Sequence, residues 1–100
     1  PVDVYLLVVG DKLAAQGLQL AQQIRSHYPQ LGVVAHCGGG KYKRQLKRAF
    51  SGGARLAVVL ERDEEGSEPL QSLKIRRLDD SGESETVPID EIIPKLGEFL

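Results

Sequence analysis

The sequence predicts an α/β fold, a three-layer α/β/α sandwich around a five-stranded mixed sheet in the order β-α-β-α-β-β-β-α. Two observations carry this. The first sixty residues alternate short, Val-rich apolar runs with stretches of helical period. The last thirty place two short strand-like runs about an Asp-Asp-Ser-Gly turn before a final apolar helix. One hundred residues, 41% of them apolar, suffice for a single packed domain over 1–100. The chain contains no Met, which reads as a piece of a longer protein.

Residues 2–9 (VDVYLLVV) are nearly continuous apolar sequence, the pattern of a parallel strand buried on both faces. Gly10-Asp11 closes the run, and the Asp11 carboxylate is expected to cap the next helix. In 12–27, Ala14, Leu18, Ala21, Ile24 and Tyr28 recur at helical spacing, with Leu13, Gly17 and Leu20 beside them, and Pro29 ends the helix. Residues 31–36 form a second strand, followed by Gly38-Gly39-Gly40. A second helix over 41–50 gathers Tyr42, Leu46, Ala49 and Phe50 on one face and Lys43, Arg44, Lys47 and Arg48 largely on the other. Ser51-Gly52-Gly53 stops it, and 55–60 (RLAVVL) is a third strand.

A polar loop covers 61–69. Residues 70–78 alternate Leu73 and Ile75 with Ser72, Lys74 and Arg76, a half-exposed strand, and 85–87 is its partner across the turn. Ile89, Ile92, Ile93, Leu96 and Leu100 give the last helix, 89–100. It tolerates Pro94 if Asp90 caps it, because Pro94 then falls in or beside the first turn.

Composition excludes several classes. One cysteine allows neither a disulfide framework nor a multi-Cys zinc site. No apolar run approaches the ~20 residues of a membrane span, and no signal-peptide pattern opens the chain. The formal charge of −1 hides a division: residues 12–60 hold eight cations and no acid, whereas 61–100 hold five cations and twelve acids.

Three features could carry chemistry. Gly38–Gly40 before a basic helix suits phosphate, but matches neither the Walker spacing nor the dinucleotide pattern, so a tight strand-to-helix turn is the better reading. Lys41, Lys43, Arg44, Lys47 and Arg48 stand within eight residues without an acid. Such like-charge crowding weakens a helix, and a solvated face normally intersperses acids; the pattern suggests a polyanion, nucleic acid being the natural one. The acidic loop Glu61, Asp63, Glu64, Glu65, with Lys74 and Arg76 to follow, offers acceptors and donors for base edges at the C-terminal end of the third strand. His36 and Cys37 are neighbours on a strand, point to opposite faces and make no nucleophile–base pair; a buried or partly buried thiol is expected for Cys37. His27 reads as a favourable contact at a helix end. No Ser/His/Asp set, carboxylate pair or metal cluster stands out, which makes this a binding module with no catalytic residue and no metal site.

The run over 36–60 (HCGGGKYKRQLKRAFSGGARLAVVL), with the opening VDVYLLVVG and the ending ETVPIDEII, resembles the C-terminal anticodon-binding domain of class II aminoacyl-tRNA synthetases, most of all that of the bacterial histidyl enzymes. The resemblance implies recognition of the anticodon of histidine tRNA. Glu64 and Lys74 would contact bases, Lys41, Lys43, Arg44 and Arg48 would hold phosphates, and Gln45 would bond a base or the backbone. It also implies a separate N-terminal catalytic domain, ATP and magnesium for the full-length ligase but no cofactor in this part, and a cytoplasmic homodimer with no membrane partner. Two positions depart from the family pattern. Glu61-Arg62-Asp63-Glu64 stands where Gly-Glu-x-Glu is usual, and Ala49-Phe50 where Ala-Asp is usual. The alternative is the same fold used for subunit contact or a small ligand, which an apolar patch on the last helix or a nucleotide at Gly38–Gly40 would favour.

Overall fold

The Val-rich first run enters the middle of the sheet. A computed structural model describes residues 1–36 and 38–100; Cys37, and with it the expected thiol, lies outside the described residues. The elements are β1 (Val4–Val9), α1 (Ala14–His27), β2 (Val33–Ala35), α2 (Tyr42–Ser51), β3 (Leu56–Glu61), β4 (Ser72–Arg77), β5 (Ser84–Pro88) and α3 (Ile92–Phe99), with a 3-10 turn at Ile89–Glu91 before α3. The sheet order is β2-β1-β3-β4-β5. β1 is parallel to β2 and to β3, with Val4 opposite Leu56 and Val9 opposite Glu61. β4 and β5 continue antiparallel, so that Val59 faces Lys74 and Lys74 faces Thr86 across neighbouring strands. The mixed five-stranded α/β fold expected from the sequence is the one observed.

Alternation along the strands builds two cores. Val4, Leu6, Leu56, Val58, Leu60, Leu73, Ile75 and Val87 pack on one face with Leu20, Ala21 and Ile24 of α1 and Ile92, Leu96 and Phe99 of α3. On the other face Leu7, Ala57 and Val59 meet Ala49 and Ala54, with Tyr42 and Leu46 half-buried beside them. Two helices thus cover one face and one helix covers the other. On the α2 side Ser72, Lys74, Ser84 and Thr86 remain exposed, leaving the β4–β5 half of that face open.

Several sequence expectations shift. α1 begins at Ala14, and its N-terminal flank is the buried Leu13, without a side-chain cap; Asp11 does not cap it. Instead the Asp11 carbonyl accepts from Arg62 Nε at 3.0 Å. The buried stripe of α1 runs through Leu13, Gly17, Leu20, Ala21 and Ile24, and Leu18 is exposed. Gly17 sets this rotation, for a Cβ there would stand 2.9 Å from Val8 Cγ2, so the helix seats its bare position on the strand. β2 is only three residues long. Phe50 is exposed while Gln45 is buried. The last helix starts at Ile92, so Pro94 lies in its first turn as expected, but neither Asp90 nor Glu91 caps it through a side chain.

Candidate nucleic-acid interface

The interface is built on the early end of β2. Beyond Leu6, opposite Ala35, β1 stays paired with β3 but no longer with β2, and the chain turns through Gly39 (φ +67°) and Gly40 (φ +98°), a region that favours glycine. Two buried side chains hold this turn. His36 Nε2 donates to the Gly39 carbonyl at 2.7 Å, since a carbonyl only accepts, and Nδ1 shares a hydrogen bond with the Tyr5 hydroxyl at 3.2 Å. Gln45, fully buried, accepts from the Val8 N–H at 2.8 Å and donates to the Val8 carbonyl at 2.7 Å and the Gly40 carbonyl at 2.9 Å. Its amide replaces the missing strand along Val8. The Gln45 side chain faces the core, where an amide supplies a donor and an acceptor at once.

The basic residues leave the turn on the outside. Lys41 precedes α2 in extended conformation, and Lys43, Arg44, Lys47 and Arg48 are exposed along it. Among the described residues none of the five side chains has an ion-pair or hydrogen-bond partner; the ion pairs join Arg55 to Asp3, Arg77 to Glu83, and Lys95 to Glu85 and Glu98. The first turn of α2 holds no acid. Cations at that positive dipole end are disfavoured, and so is the repulsion of Lys43 by Lys47 and of Arg44 by Arg48. An anion relieves both. Gly40, Lys41, Lys43 and Arg44 line a depression of about 440 Å³ there.

Across the α2 side of the sheet, Lys74 sits in a second, smaller pocket of about 140 Å³, lined by Val59, Glu61, Ser72, Leu73, Lys74 and Thr86. Glu61 and Lys74 share this pocket without forming an ion pair, so the carboxylate and the ammonium are both available to a ligand. Glu64 is elsewhere, exposed in the loop between β3 and β4. Arg62 anchors that loop through its N–H to the Val9 carbonyl, 2.9 Å, and its guanidinium to the carbonyls of Asp11 and Glu68. The structure therefore brings Glu61, not Glu64, beside Lys74. The signal for Glu61 lay in the sequence as a departure from the family Gly. Arg76 ties the two halves together: it donates to the Tyr42 hydroxyl at 3.2 Å, joining β4 to the first residue of α2.

The sequence matches the family described as "Anticodon binding domain" over residues 3–99. The chain belongs to this family. A histidine–tRNA ligase of Hydrogenovibrio crunogenus is 37% identical to this anticodon-binding domain over 98 residues, which are 98% of the chain and 22% of that protein. Among solved structures, histidyl-tRNA synthetase from Nostoc sp. PCC 7120 superposes with a TM-score of 0.80 at 24% identity, over all of this chain and 22% of that one. The RNA binding domain of threonyl-tRNA synthetase from Cryptosporidium parvum Iowa II superposes at 0.78 with 12% identity, over 99% of this chain and 24% of that one. These likenesses establish the fold. The domain spans about a fifth of the length of the relatives it matches.

Among the described residues, no three His, Cys, Asp or Glu side chains are placed to hold a metal ion. No described helix is long and apolar enough to cross a membrane. The apolar stripe of α3, through Ile92, Leu96 and Phe99, is turned into the core.

Proposed function

We propose that the domain reads the anticodon of histidine tRNA on behalf of a histidine–tRNA ligase, whose aminoacylation chemistry lies in a catalytic domain outside these hundred residues. The supporting observation is the juxtaposition of an unpaired basic helix with a pocket that holds Lys74 and Glu61 unpaired with each other. Phosphates rest on Lys41, Lys43, Arg44 and Arg48. Anticodon bases are unpaired, so their edges can enter a pocket: Lys74 donates to base carbonyls, and carboxylates accept base N–H groups, Glu61 inside the pocket and Glu64 from the following loop. Gln45 and His36 keep the glycine turn in shape from behind. On this reading ATP and magnesium enter with the catalytic domain, the domain is one part of a longer chain, and the whole enzyme is a cytoplasmic homodimer. The 37% identity to a histidine–tRNA ligase along nearly the whole chain supports it.

Titration of the chain with histidine tRNA at rising salt tests the reading. Affinity falls steeply, and the double change Lys43→Ala, Arg44→Ala flattens the log–log slope by about 1.4 to 1.8. Binding that is indifferent to salt contradicts it.

A further inference from the structure

Of the five aromatic residues, one stands outside both cores. Phe50, in the last turns of α2, is 47% exposed, while Tyr5, Tyr28 and Tyr42 are half-buried and Phe99 is buried. Its surroundings separate it from Leu18, the other large apolar residue exposed on a helix. Leu18 lies among uncharged Ala and Gln residues of α1, whereas Phe50 follows Lys47 by one turn and Lys43 by two, on a helix whose cations are unpaired.

Tyr42, Leu46 and Phe50 recur at intervals of four and therefore line one side of α2. The Tyr42 hydroxyl takes its hydrogen bond from Arg76, so this side is the one turned toward β4 and the open half-sheet. Lys43 and Lys47 border the same side. The Phe50 ring thus stands on the flank of α2 that Lys43 and Lys47 border, within reach of a strand whose phosphates those lysines would hold.

We propose that Phe50 is a stacking platform for an unpaired nucleobase of the RNA held along α2. The proposal rests on the anticodon-binding reading and adds to it a contact of a different kind. Every base has a π-face, so the ring receives it without regard to sequence, and stacking releases no counterions. Phe50 thus contributes affinity that salt does not remove, alongside cations whose contribution salt does remove.

The test is a titration of the chain with the anticodon stem–loop RNA of histidine tRNA at several salt concentrations, for wild type, Phe50→Ala, Phe50→Leu, Phe50→Trp and Lys47→Ala. Phe50→Ala weakens binding about tenfold or more at every salt concentration while the slope stays that of wild type. Leu does not restore the loss and Trp does. Lys47→Ala lowers the slope by about 0.7 to 0.9. The chain contains no Trp, so Phe50→Trp is also a unique fluorophore whose emission changes as a base stacks on it. Phe50→Ala or Phe50→Leu binding within twofold of wild type, or Phe50→Trp emission unmoved at saturation, overturns the platform alone. A wild-type chain that leaves this RNA unbound overturns the anticodon reading and the platform with it.

Discussion

Val8 lies beyond the last rung that β1 shares with β2, and its N–H and C=O are both satisfied by the amide of Gln45. An apolar side chain of similar size leaves these groups, and the Gly40 carbonyl, without that partner. Gln45→Leu therefore destabilises the fold by about 2–4 kcal/mol, read as a lower midpoint in urea; a midpoint equal to wild type contradicts this account of the turn. The role was not legible in the sequence because it depends on where β2 stops, and Gln45 sits in a run of cations that reads as surface. A second residue-scale prediction lies on the turn between β4 and β5. The Ser81 hydroxyl, with the Ser81 and Gly82 N–H groups and Arg77 behind it, holds the Asp79 carboxyl below its ordinary range. The folded value is thus lower than the unfolded one, about 3.9. The stabilisation Asp79 provides is present above that value and is lost as pH falls through the folded one. Ser81→Ala moves the Asp79 carboxyl-carbon titration upward in NMR; a titration left in place contradicts the assignment.

At the scale of elements, periodicity located every strand and helix, and the errors fall where a neighbouring element decides the detail. Leu18 fits the helical repeat of α1 as well as Gly17 does, but only Gly17 lets the helix approach Val8, so the stripe turns toward glycine and Leu18 faces solvent. In α2, Phe50 shares the apolar repeat with Tyr42 and Leu46, yet the buried stripe centres on Gln45 and Ala49. The placement of α3 depends on a contact that no local pattern shows: the Tyr28 hydroxyl, at the end of α1, donates to the Ile93 carbonyl at 2.7 Å, and Gly97 leaves room for it, since a Cβ there would stand 3.0 Å from that oxygen. Tyr28→Phe keeps the ring and loses the bond. It lowers stability by about 1 kcal/mol in urea unfolding and speeds amide exchange in α3 more than in α2. Equal exchange in the two helices argues against Tyr28 as the tie.

For the molecule as a whole, a net charge near zero says nothing about RNA, whereas its arrangement says a great deal. The basic half of the sequence supplies α2, and the acidic half begins at Glu61, the carboxylate that lines the pocket with Lys74. Two helices on one face and one on the other leave the β4–β5 half-sheet open beside that basic helix, so the cations of α2 and the pocket of Glu61 and Lys74 share one side of the sheet. The exposed basic face of α2 was readable from residue spacing alone. The pocket beside it was only half readable, because the choice of Glu61 over Glu64 beside Lys74 depends on how the loop leaves β3. The central claim is that this surface reads anticodon bases as well as phosphates. The affinity of the chain for histidine tRNA, compared at one salt concentration with that for the same tRNA carrying an exchanged anticodon, tests it most directly. The account predicts at least tenfold weaker binding of the exchanged tRNA, a difference that Lys74→Ala largely abolishes; equal affinity for the two tRNAs contradicts it.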